Sequence, residues 1–200
     1  MDRNSQGNLS LREDSPAKDR ILTAALDLFY EKGYPNTGIN EILEHAGAFK
    51  KSLYRHFPSK KDLGRTYLAT QERIILALFQ KLMDRKSSYP DFIHSWMRVV
   101  KRGTESTFRF GCPVANFANQ THDEPELQEL TGEFIRRWTE LFETYLRKTF
   151  PDTNRDKISR TTESILLYYQ GTMQVYGMTG DPKYLQKLER ELLRLEADLT

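Results

Sequence analysis

Apolar side chains recur at spacings of three and four along nearly every long segment of this chain, whereas polar–apolar alternation never persists for five or six residues. The first period is that of a helix face and the second that of a half-buried strand, so the chain is restricted to helix-on-helix packing. Ile21, Ala24, Ala25, Leu28 and Phe29 show the pattern at its simplest, sharing one face of a first helix. Pro16 suits the first turn of that helix with Ser15 as its N-cap, and Gly33 suits its C-terminal stop.

Turn residues punctuate the rest into short and long helices. A helix from about 39 to 46 stops at Gly47, a third runs from about 50 to 56, and Pro58 breaks the chain before Ser59 caps a long helix reaching about 85. After Tyr89-Pro90 comes a helix with Ile93, Trp96, Met97 and Val100 on one side, and Pro113 opens a short helix through Phe117. Pro125 opens a helix whose broad apolar face carries Phe134, Ile135, Trp138, Leu141, Phe142 and Tyr145. Pro151-Asp152 turns the chain into a helix with Ile158, Ile165, Leu166, Tyr169 and Met173, and Gly180-Asp181-Pro182 precedes a last amphipathic helix to about 197. The expected fold is all-α with about nine helices. A polar tail (1–15) leads into a three-helix N-terminal domain (16–60) and a larger helical bundle (61–200).

The 38% hydrophobic and 12% aromatic content is enough for a buried core. Cys112 is the single cysteine, so no intrachain disulfide forms and a reducing cytoplasm is the expected compartment. The polar first 15 residues do not read as a signal peptide, and no run approaches the roughly 18 apolar residues of a membrane span. His45, His56, His94 and His122 are scattered without metal-ligand spacing, and no nucleophile elbow or phosphate loop is present. An enzyme, a metal site and a cofactor are therefore not expected.

The net charge of +2 is too small to point to nucleic acid, but its distribution is uneven. Between Glu44 and Asp62 stand Lys50, Lys51, Arg55, Lys60 and Lys61, joined by His45 and His56, with no carboxylate among them. A run of cations is by itself usually a solvated face. Here the run lies on two short helices joined by a tight turn at Gly47, the layout of a helix-turn-helix, in which the second helix enters the major groove. Ile42, Leu53 and Phe57 supply apolar sides that pack on the first helix, leaving Lys50, Lys51, Ser52, Tyr54, Arg55 and His56 wholly or partly outward.

The same stretch resembles the DNA-binding domain of the TetR family. Phe29 through Gly33-Tyr34, Thr37 with Ile39 and Ile42, Ala46-Gly47, Leu53-Tyr54-Arg55-His56-Phe57 and Lys60 with Leu63 match that family's pattern in order and spacing. Two positions depart from it. Leu43 replaces a usual small residue, and the usual Gly-Val-Ser-Lys-Gly opening of the recognition helix reads Gly47-Ala48-Phe49-Lys50-Lys51, which removes the serine N-cap. The resemblance implies a sequence-specific DNA-binding regulator that acts on double-stranded DNA as a homodimer. Tyr54, His56, Lys60 and Thr37 would then hold phosphates and set register. Lys50, Lys51, Ser52 and Arg55 would face base edges, since Lys and Arg donate to guanine O6 and N7. Asn40 would reach a base or a phosphate. Tyr54 and His56 have partial packing on the fourth helix as the alternative.

By the same resemblance the bundle binds a small-molecule inducer and dimerises through the helices at about 125–149 and 155–178. Gly171-Thr172 would allow close helix approach there or face a pocket. Trp96, Val100, Phe117, Phe134, Trp138, Tyr169 and Met173 are candidate ligand-lining residues, with ordinary core packing as the alternative. Gly111-Cys112-Pro113 puts the Cys112 thiol at a helix start with Arg109 nearby, either as a thiolate sensor of oxidants and electrophiles or as an inert wall residue. A repressor released from a palindromic operator by a small apolar or reactive ligand is the expected function. The alternatives are an activator, a DNA-binding protein without inducer and, last, a small-molecule-binding enzyme.

Overall fold

The structure is a computed structural model that describes residues 16–86 and 88–200. The polar tail, including the Ser15 cap, lies outside the described residues. Within them the chain forms nine α-helices, one closing 3-10 turn and no strand. They are α1 (Ala17–Glu31), α2 (Ile39–Ala46), α3 (Lys50–His56), α4 (Lys60–Arg85), α5 (Tyr89–Arg102), α6 (Pro113–Asn119), α7 (Pro125–Thr149), α8 (Arg155–Thr179) and α9 (Lys183–Arg194), followed by the 3-10 turn Leu195–Asp198. Small shifts from the sequence reading occur at helix starts. Pro16 takes the N-cap of α1 instead of its first helical position. Tyr89 and Pro90 already belong to α5, because the Ser88 side chain accepts from the Asp91 N–H and caps the helix ahead of them.

The residues fall into two compact units, one comprising the chain up to Thr70 together with Phe117–Leu130, the other Gln71–Asn116 with Thr131–Thr200. The first unit therefore reaches further than the 16–60 read from the motif, and the reason is packing. Phe117 stacks on Tyr67 with ring centroids 4.7 Å apart and meets Tyr34 edge-on at 5.0 Å, while Phe29 lies 5.1 Å from Tyr34. Each buried ring contributes about 1.5–3 kcal/mol of hydrophobic stabilisation, so the cluster joins α1, α4 and the 117–130 segment into one core. A polar link reinforces it. Gln120 Oε1 accepts from the Tyr34 N–H at 2.8 Å. Gly33 adopts φ +88°, and a Cβ there would stand 2.5 Å from that same oxygen. No other residue meets both demands easily.

In the second unit, Trp138 stacks on Phe142 at 4.0 Å, and Phe79 sets its edge against Phe142 at 4.9 Å and against Trp96 at 5.0 Å. Tyr169 of α8 completes this centre, 5.0 Å from Trp96. Helix α9 packs on α5 and α8 through Leu185, Leu188 and Leu192. The buried Tyr89 hydroxyl donates to the Leu192 carbonyl at 2.8 Å, and burial pushes its pKa well above the ordinary range.

Candidate nucleic-acid interface

The candidate surface is held by its turn. Gly47 closes α2 in the left-handed region, at φ 55° and ψ 43°, where glycine alone sits without strain. From α1, Arg20 reaches across and donates to the carbonyls of Ala46 at 3.0 Å and Gly47 at 3.3 Å. These carbonyls end α2 and would otherwise lack helical partners. The ion pair between Lys32 and Glu41 ties the end of α1 to α2 as well. Arg20 escaped the sequence reading because its partners are backbone atoms 26 and 27 residues away. No side-chain pattern announces such a contact.

Helix α3 is short, and its Leu53 is fully buried with Phe57 behind it. Fixing Leu53 inward turns Lys50, Lys51, Tyr54 and Arg55 outward on the same helix, with Ser52 half-buried and His56 exposed. Tyr54 is 44% exposed, with the Lys50 ammonium 5.9 Å from its ring centroid. Asn40 is exposed on α2. Phe49 occupies the N-cap of α3 and supplies no side-chain cap, as the missing serine implied.

Charge pairing separates this surface from its surroundings. Lys61 and Arg65 on α4 share Glu126 at 3.1 and 3.3 Å. Lys51 and Arg55 have no carboxylate partner among the described residues. Unpaired cations beside an exposed tyrosine hydroxyl are suited to hold polyanion phosphates and to donate to base edges.

Two candidates are placed otherwise. Thr37 is fully buried, its hydroxyl 2.8 Å from the Gly33 carbonyl and 3.2 Å from that of Leu28. Its side chain closes the end of α1 and is not available to a phosphate. This corrects the expected phosphate role, and the cause is that the tight 33–38 turn needs an internal donor. Lys60 is half-buried, with its ammonium 4.5 Å above the Tyr34 ring and donating to the Pro35 carbonyl at 3.3 Å. Burial lowers its pKa.

In the second unit Trp96, Val100, Phe134, Trp138, Tyr169 and Met173 are all buried, and several of their rings pack directly on one another. Phe117 belongs to the first unit's aromatic cluster. An open groove of about 500 Å³ is lined by other residues, among them Met83, Leu141, Tyr145 and Lys148. Cys112 is buried, and burial pushes its thiol up, although the N–H groups of Ala115 and Val114 and the side chain of Gln170 oppose this. At neutral pH such a thiol stays protonated and slow to react. On α7 Phe134, Trp138, Phe142, Tyr145 and Leu146 are buried, Ile135 and Leu141 are half-buried, and Arg136, Arg137, Glu140 and Arg147 are outward, whereas α8 exposes Leu167, Tyr168, Val175 and Met178.

Residues 21–65 match the family described as bacterial regulatory proteins, tetR family. The chain is 29% identical over 159 residues to the HTH-type transcriptional regulator LmrA of Bacillus subtilis (strain 168), covering 76% of this chain and 82% of that protein. It is 30% identical over 138 residues to the uncharacterized HTH-type transcriptional regulator YxaF of the same organism, covering 67% of this chain and 71% of that one. Among solved structures, the regulatory protein TetR from Rhodobacter sphaeroides matches with a TM-score of 0.80 at 22% identity, over 90% of this chain and 99% of that chain. The likeness to solved structures speaks for the fold, and the curated relatives carry the assignment.

Proposed function

The chain belongs to the TetR family of bacterial regulatory proteins, and from that premise we propose that this DNA-binding regulator of transcription is a homodimeric repressor released from a palindromic operator by a small apolar ligand. The observation that carries the DNA-facing part is the row of unpaired, exposed cations on α3, held by Leu53 below and Arg20 behind. In this reading Lys50, Lys51, Ser52 and Arg55 face base edges, while Tyr54, His56 and Lys60 hold phosphates, with Asn40 beside them. Lys60 leaves the Tyr34 ring to do so.

The dimer forms through α8. Leu167, Tyr168, Val175 and Met178 lie at spacings that share one face, and Gly171 between them leaves open space where a Cβ would project. An exposed apolar stripe of this kind supports self-association. Helix α7, outwardly charged, flanks the contact. Two-fold symmetry of the protein then demands a palindrome, with half-sites about one DNA turn apart.

Release follows if ligand binds the non-DNA form better than the DNA-bound form. The aromatic centre around Trp96, Trp138 and Tyr169 supports an apolar ligand, which would enter by parting those rings. The buried, protonated Cys112 thiol favours that over a reactive ligand. The protein acts in the cytoplasm in this reading, and among the described residues no helix is long and apolar enough to cross a membrane.

Selection from random DNA duplexes tests the proposal. The wild-type protein should enrich a palindrome, Arg55→Ala should relax base preference at one position, and Tyr54→Phe should weaken all sites alike. Operator binding that no small apolar compound weakens would remove the inducible part. Activation of a promoter bearing the operator would reverse its sign.

A further inference from the structure

Phe49 is 85% exposed, the highest exposure of any large apolar side chain among the described residues. Its backbone is not loose. The Phe49 carbonyl accepts from the N–H of Ser52 at 2.9 Å and of Leu53 at 3.2 Å, so the residue is built into the first turn of α3 with extended φ −93° and ψ 149°. The side chain is therefore held out in water by a fixed backbone, directly before exposed Lys50 and Lys51 and five residues before Tyr54. A phenyl ring has no hydrogen-bond donor for a phosphate oxygen or for guanine. The apolar group that a base pair displays in the major groove is the C5-methyl of thymine.

We propose that Phe49 is a specificity-determining residue that packs its ring against the C5-methyl of a thymine in each half-site of the operator. The inference rests on α3 being the groove-reading helix, where the first residues face base edges. It adds an apolar element to a surface otherwise composed of donors. Lys50 and Lys51, which follow it, bring the same turn to the base edges, and Phe49 then exchanges its hydration for the methyl group.

Deoxyuridine differs from thymidine only in lacking that methyl group. In the selected palindrome each thymine would be replaced in turn, symmetrically in both half-sites, and the dissociation constant measured with full-length wild type, Phe49→Ala and Phe49→Leu. The expected result is one thymine position at which deoxyuridine weakens wild type by about fourfold per half-site, the worth of one buried methyl. Phe49→Ala should bind thymine and deoxyuridine duplexes equally, and Phe49→Leu should keep part of the discrimination. The inference is overturned if wild type ignores every replacement, or if Phe49→Ala retains the discrimination. It is equally overturned if Phe49→Ala shifts only the oligomeric state. These outcomes leave the DNA-binding reading standing. Failure of wild type to enrich any duplex at moderate salt would overturn both.

Discussion

Helices α3 and α7 both present arginines to solvent, yet their charges are arranged differently. On α7, Arg137 pairs with Glu72 at 2.5 Å and with Glu133, and Arg147 pairs with Glu143 at 2.9 Å. On α3, Arg55 and Lys51 have no carboxylate partner among the described residues. A paired surface cation contributes little to stability and little to the outward field. An unpaired one remains available to displace counterions from DNA. Exposure does not separate Arg55 from Arg137 and Arg147, and the location of the neighbouring carboxylates does.

The largest break in this comparison should come from neither arginine set but from the apolar stripe on α8. Leu167→Arg should split the proposed dimer, seen by sedimentation, and lower operator affinity by roughly a hundredfold or more, since one head then binds without its twin. If the protein stays dimeric, the twin contact lies elsewhere. Arg55→Ala should cost about 1–3 kcal/mol of operator binding and relax the base preference at one position. Its counterpart Arg147→Ala should change affinity and stability by no more than about 0.5 kcal/mol, with an unaltered salt dependence. Equal effects of the two would erase the distinction between paired and free cations.

Inside the first unit, Gly33→Ala should lower stability by about 1–2 kcal/mol from its positive φ alone, read as a drop of several degrees in melting temperature. Gln120→Ala tests the same link from the other side and should soften the 117–130 segment in hydrogen exchange before it affects α8. The last effect appears only at alkaline pH and concerns Tyr34, whose phenol burial, with the Glu124 charge second, pushes up from 10.0 to about 12. The folded state then holds this proton more tightly than the unfolded chain. Its contribution is complete below pH 10 and is lost as pH rises through about 12. Tyr34→Phe should flatten that part of the alkaline unfolding curve, leaving the slope due to Tyr145, which burial also raises to about 12, and to Tyr89, which burial raises further.

Much of this was legible in the residues themselves. Leu53 and Phe57 declared the inward side of α3, and their spacing left Lys51 and Arg55 outside. Gly47 declared the turn, because its position between two short helical patterns needs a left-handed residue. Local signals of this kind survive because the forces that read them, helix periodicity and backbone sterics, act within a few residues. Thr37 misled for the opposite reason. A threonine at a helix approach offers its hydroxyl either outward or to nearby carbonyls, and only the path of the 33–38 turn selects between them.

The sequence by itself determined an all-α chain with a helix-turn-helix near its start, and with it the regulator's class. Tertiary structure alone decided that Phe117 joins the aromatic core of the DNA-binding unit while Trp96 and Trp138 fill another. It also decided that Arg20 holds the turn beside α3, that Phe49 stands bare in front of that helix, and that α8 instead of α7 keeps an exposed apolar face. Periodicity states which residues share a face of a helix, but the neighbour covering that face comes from elsewhere in the chain, and so does each partner that decides whether a charge is free.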